Sequence, residues 1–213
     1  MKKTNLIAIM ALIFSCVTLH AQDATYDDPS TSKFSFVTYG GIGYAVVDND
    51  REPNYNLNAS TADFLINYRI GKRYGIATGL GFSQLSGNGF SAGGNFYHER
   101  GLIKIPLLFS SDYNLSEKVR LVANIGFYGQ GIIKDEYSFT GGVKAEDVYT
   151  GWNFGLQCGI GLAYNLNEKM SLGIMVHNQA DFTRIDSDSS KGVTDEQKIS
   201  GLNSIGLLFA INL

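Results

Sequence analysis

His98 is the side chain best suited by type to act as a general base in this chain, and Ser86 and Ser91 are the serines near it. Hydrolytic chemistry would require a nucleophile, a base and an orienting acid within hydrogen-bond reach of one another. No H-E-x-x-H pair is present. The Gly-rich stretch "GNGFSAGGN", Gly87 to Asn95, opens no helix, so it is not a phosphate loop and reads as a flexible connection. No catalytic residue, metal site or cofactor is therefore expected.

The other chemically capable residues are charges and amides scattered through apolar surroundings: Asp63, Arg69, His98, Arg100, Lys104, Arg120, Gln157 and His177. If they converge, they make either an anion-binding constriction or an internal plug of ion pairs and hydrogen bonds. The plug is the preferred reading. The acidic clusters Asp48–Asp50, Asp135 with Glu136, Glu146 with Asp147, and Asp186–Ser190 fall between apolar segments. Calcium would need six or more oxygens in a defined loop, and no such loop occurs, so these clusters read as solvated loop charge.

The elements that would position these residues show in the patterning. From Trp152, every second residue is apolar: Trp152, Phe154, Leu156, Cys158, Ile160, Leu162 and Tyr164. Between them lie Asn153, Gly155, Gln157, Gly159, Gly161, Ala163 and Asn165. Such a period of two is a strand signal. It recurs, predicting strands near 33–47, 61–70, 74–86, 96–110, 118–133, 150–165, 169–180 and 199–213. The links between them alternate in length. The short ones are Gly71–Arg73, "SDYNLSE" and "NLNE"; the long ones are 48–60, 87–95, 134–149 and 181–198. An up-and-down meander with one smooth end and one loop-rich end has this order, as transmembrane β-barrels do.

Composition supports export and a sheet. Lys2 and Lys3 precede an apolar run, Leu6 to Val17, that ends in "LHAQ", the pattern of a secretory signal peptide over residues 1–22. Phe14 stands where a lipoprotein signal would place a small residue before Cys16, which disfavours lipidation. Residues 23–32 read as a short N-terminal segment and 33–213 as one domain. Removal of Lys2 and Lys3 leaves 15 basic residues against 20 acidic, a formal charge of −5, which argues against a nucleic-acid partner. Cys158 alone remains beyond the signal peptide, so no disulfide can form within the domain.

Three features favour lipid outside and polar groups inside. The apolar face is very large, while the alternate face is small or amidic with few charges; residues 150–165 carry none. Aromatics gather near strand ends: Phe34, Tyr68, Tyr74, Phe109, Tyr113 and Tyr164 at one end, and Tyr44, Phe82, Phe96, Phe127 and Trp152 at the other. An even strand number permits the closure that backbone groups in lipid demand. The expected fold is all-β: an eight-stranded antiparallel up-and-down transmembrane β-barrel. Cys158 falls on the lipid-facing register, as a buried, inert thiol.

The stretch "GLIKIPLLFSSDYNLSEKVRLVANIGFYGQGI", Gly101 to Ile132, resembles the outer-membrane β-barrel family that includes PorT-like proteins of Gram-negative bacteria. Ile105, Pro106, Leu107 and Leu108 match its "EIPLLL" strand; Lys104 stands where an acidic residue is frequent, and the chain ends on Leu213 rather than an aromatic. The resemblance implies outer-membrane lipids and the barrel-insertion machinery as partners. An envelope or extracellular protein could be met through the long loops, in a structural, adhesive or secretion-associated role. A narrow pore, a lipid-modifying enzyme and a soluble lipocalin-like carrier are the alternative readings.

Overall fold

The computed structural model describes residues 33–91, 94–188, 190 and 195–213. The expected signal peptide, residues 1–22, and the expected 23–32 segment lie outside the described residues. Eight long strands make the wall: β1 (Phe34–Asn49), β2 (Tyr55–Arg69), β3 (Tyr74–Ser91), β4 (Gly94–Asn114), β5 (Val119–Phe139), β7 (Trp152–Asn165), β8 (Met170–Asp181) and β10 (Glu196–Asn212). Two short strands, β6 (Lys144–Glu146) and β9 (Ile185–Asp186), pair with β5 and β10 respectively. Successive long strands pair antiparallel, and β1 closes on β10 from Ser35↔Asn212 to Asn49↔Gln197. The ring has no free edge, so each of the eight long strands finds hydrogen-bond partners on both sides.

The wall faces lipid as the alternation requires. Trp152, Phe154, Ile160 and Leu162 point outward, with Trp152 52% and Ile160 51% exposed, while Asn153, Gln157 and Ala163 are buried inside. Cys158 is exposed from the protein on this outer face. Ile66, Leu80, Leu107, Phe127, Ile174 and Leu207 continue the apolar surface on other strands. An interior core, as a soluble carrier would have, is the reverse of this arrangement in the membrane-facing half.

The strands are longer than predicted at the long-connection end. β2 begins at Tyr55, β3 reaches Ser91, β4 starts at Gly94 and β5 runs to Phe139. The stretch expected as a flexible loop is thus largely two paired strands. Glycine serves there for close approach: a Cβ on Gly89 would overlap the Phe96 ring, and Tyr55 lies beside it.

In this extension the polarity of the wall inverts. Outward positions carry Glu99, Lys134, Glu136 and Lys144, linked in ion pairs. Inward positions carry Tyr55, Phe96, Leu102, Tyr137, Ile199 and Leu202, one apolar cluster. Phe96, expected in the aromatic girdle, is 6% exposed and belongs to this interior. Bulges bring β5 and β10 into this inversion. Between Gly101↔Lys134 and Leu102↔Ile132 the extra residue is Ile133, and between Val46↔Gly201 and Val47↔Ile199 it is Ser200. Each bulge swaps which alternate residues face inward. Beyond the bilayer water lies outside, so apolar residues gain by turning in.

Candidate functional site

The interior carries three polar layers. Nearest the short turns, Arg120 of β5 binds Asp112 of β4, donates from Nε to Asn165 Oδ1 at 2.8 Å, and donates from Nη2 to Ser171 Oγ at 2.8 Å. These residues are neighbours because β5 pairs with β4 and β7, and β7 with β8. Arg69 lies half-buried on β2, with its charge directed to the same Asp112.

The middle layer centres on Lys104 Nζ, which lies 3.1 Å from Asp63 Oδ1 and donates to Gln179 Oε1 at 3.0 Å. Glycine permits this crossing: Gly81 stands between Asp63 and Lys104 in register, and a Cβ there would meet both side chains. Gln157 and His177 are buried at neighbouring inward positions. Tyr39 packs on the His177 ring at 5.4 Å and hydrogen-bonds Ser204 at 2.9 Å.

Two carboxylates organise the upper layer. Asp135 Oδ1 receives His98 Nε2 at 2.8 Å and Arg100 Nε at 2.7 Å, and its Oδ2 receives the Tyr149 backbone N–H at 3.0 Å. His98 Nδ1 meets Tyr55 Oη at 2.9 Å, and its ring stacks on Tyr137 at 4.0 Å. Arg100 also donates to Gln197 Oε1 at 2.8 Å. On β8, two strands along the ring from β5, Asp181 accepts from Tyr128, Gln130, Asn153 and the Ile199 backbone at 2.7–2.9 Å. Such complete satisfaction is what a buried carboxylate needs to stay in place.

The connection after β6 covers this layer. Val148 and Tyr149 are buried, and Tyr149 lies over the Arg100 guanidinium at 5.3 Å. Asp147 at φ 54° and Gly151 at φ 135° set the two bends that carry the connection across the barrel mouth. Asp188 N donates to Val148 O at 2.8 Å, tying in the β9 connection. The Tyr149 hydroxyl titrates well above the usual phenol range, through burial first and Asp195 second.

All eight predicted polar residues therefore point inward, but in three separate layers rather than one cluster. His98 and Arg100 share the upper, Asp63 and Lys104 the middle, and Arg120 the lower with Arg69 facing the same acid. Three acids at the centre of these networks were not among the predicted cluster. Asp112 lay in a presumed turn. Asp135, read as solvated loop charge, is 1% exposed because the Ile133 bulge turns it inward. Asp181 closes β8, where the alternation alone would have marked it as inward.

The serines do not join His98. Ser86 occupies an outward position of β3, on the other face of the wall. Gly89–Gly93 has the G-x-S-x-G spacing but not the elbow that would make it a nucleophile motif. Ser91 ends β3 and β4 starts at Gly94, so the spacing belongs to a strand-to-strand connection and not the strand-to-helix elbow that exposes a nucleophile.

The model of the outer membrane protein beta-barrel domain matches residues 9–207, nearly the whole chain. This chain belongs to that family. Neisserial surface protein A is 10% identical, covers 86% of this chain and 99% of its own, and superposes with a TM-score of 0.54. A major outer membrane protein from Thermus thermophilus is 13% identical, with 84% and 99% coverage and a TM-score of 0.54. Both likenesses concern the fold. No curated protein matches. The barrel protein resides in the bacterial outer membrane, its apolar belt in the lipid bilayer.

Proposed function

We infer that the barrel protein is a non-catalytic structural and interaction component of the cell envelope, closed to solutes. The observation that carries this reading is the filling of the interior: three polar layers, an apolar cluster between the upper strands, and Val148–Tyr149 across the mouth. A conducting barrel needs a continuous aqueous lumen, whereas eight strands leave room chiefly for side chains. The extension beyond the belt then offers the partner-facing surface. Its outer wall, with Tyr97, Glu99, Lys134 and Glu136, is rigid paired strand rather than loose loop. By the usual orientation, short turns face the periplasm and this extension faces the exterior. The barrel-insertion machinery would place it so. Adhesion, envelope integrity and attachment to a secretion machine all fit such a display surface.

Planar-bilayer recording tests the closure. The purified protein should show no unitary conductance above the bare bilayer, and steady ion-selective openings would establish the pore instead. Deletion of the gene with tests of envelope permeability and cell attachment would then separate integrity from adhesion.

A further inference from the structure

On the outward face of β8 and β10 a pair of amides interrupts the apolar run. Along β8 the outward residues run Leu172, Ile174, Val176, then Asn178, then Ala180, with exposed Phe182 following. Along β10 they run Leu207 and Ile205, then Asn203. Register sets the two amides side by side: Asn178↔Asn203, with Asn203 opposite Tyr44 and Asn178 opposite Cys158. Asn178 Nδ2 donates to Asn203 Oδ1 at 2.8 Å. That bond leaves the Asn178 carbonyl oxygen and the Asn203 amide group without a partner among the described residues. Unpaired amides at a hydrocarbon-facing position are costly, and nothing in water compensates them there.

The pair sits in a depression of about 530 Å³. Ile42, Ile160, Val176 and Ile205 form its membrane-ward floor, and Tyr44 stands above. The depression is continuous with the belt, which is already the surface that lipid covers. Its lining suits an amphipathic chain: an apolar floor below, with one free acceptor and one free donor at the end nearer the long connections.

We propose that this notch holds one lipid of the exterior leaflet whose acyl chain carries an amide or hydroxyl group close to its head. The chain lies along Ile42, Ile160, Val176 and Ile205. Its amide N–H or hydroxyl donates to Asn178 Oδ1, and its carbonyl or hydroxyl oxygen accepts from Asn203 Nδ2. The proposal does not depend on whether the barrel conducts, so the bilayer recordings above leave it untouched.

Lipid A, with amide-linked and 3-hydroxylated chains, is the probe; a phosphatidylethanolamine of matched chain length is the comparison. The mature barrel is folded in detergent and each lipid is titrated, with bound copies counted by native mass spectrometry. A trifluoromethyl tag on Cys158, which borders the notch, reports occupancy by ¹⁹F NMR. The expected result is one tightly held lipid A, a ¹⁹F shift that saturates with it, and at least tenfold weaker phosphatidylethanolamine binding. Asn178→Leu with Asn203→Leu should weaken lipid A binding about tenfold while folding is retained, since both positions face lipid. Asn178→Gln with Asn203→Gln should keep most of it. Monophosphoryl lipid A should bind as well as the bisphosphorylated form; a loss would assign the affinity to headgroup charge elsewhere and overturn the proposal. Undiminished binding by the leucine variant would overturn it too, as would efficient bismaleimide coupling of two barrels through Cys158, which would assign the notch to a second copy.

Discussion

The Tyr149 backbone N–H is bound by the carboxylate of Asp135, 3.0 Å from Oδ2, while the other oxygen of that carboxylate holds His98 and Arg100. One residue, displaced inward by a bulge, thus couples the wall of β4, the wall of β5 and the connection that crosses the mouth.

Asp135→Ala should therefore act as more than a local loss. Removing one partner of a buried ion pair costs about 3–5 kcal/mol, because the remaining charge is stranded. Urea unfolding in lipid vesicles should show a loss of that order. Limited proteolysis should show new cleavage between Glu146 and Trp152. A loss under ~1 kcal/mol would mean that the upper layer is not a structural tie.

The middle layer gives a different signature. Lys104→Met and Asp63→Leu should each destabilise by about 3 kcal/mol, since each strands a buried charge. The double variant should recover most of that loss, because an apolar pair leaves no charge uncompensated. A double-mutant cycle reads the coupling directly. Additive losses would show that the two residues act independently.

Topology is checked by cysteine labelling in intact cells, in a Cys158→Ala background. Single cysteines at 51 and 142 should react with an impermeant maleimide. Single cysteines at 72, 114 and 167 should react only after lysis. Equal reaction in both sets would reject the orientation.

The indole of Trp152 lies against Gly131, its partner across β5 and β7; a Cβ at Gly131 would come 2.9 Å from Cε2. Gly131→Val should push the ring off the wall. Trp152 is the single tryptophan of the chain, so its emission maximum reports the move without background. Overpacking of this kind costs about 1–3 kcal/mol. An unchanged spectrum with unchanged stability would place the ring elsewhere.

Much of this architecture could be read from residue order. The run from Trp152 to Tyr164 has a strict period of two, and the structure follows it residue for residue. Gly71–Arg73 is too short for anything but a hairpin turn. Alternation failed where a bulge intervened. It ran correctly to Ile133 and, from the other side, to Gly201; past each, parity slips by one and the predicted strand ended. Glycine-rich composition misled at 87–95 for another reason. Glycine there is not a sign of looseness: Gly89 makes room for the Phe96 ring. The inward direction of Lys104 and His98 followed from parity alone. Their partners Asp63 and Asp135 lie 41 and 37 residues away in sequence; the pairing of β4 with β5, and of β3 with both β2 and β4, brings them together.

The bulges at Ile133 and Ser200 also fix how deeply the protein sits. Below them the wall is matched to hydrocarbon; immediately above, Lys134, Glu136 and Lys198 are matched to water. Sliding the barrel inward by a few ångströms would drag those charges into the acyl chains. Sliding it outward would bare leucine and phenylalanine. The protein therefore carries its own waterline, and a bilayer of different thickness must adjust to the barrel rather than the reverse.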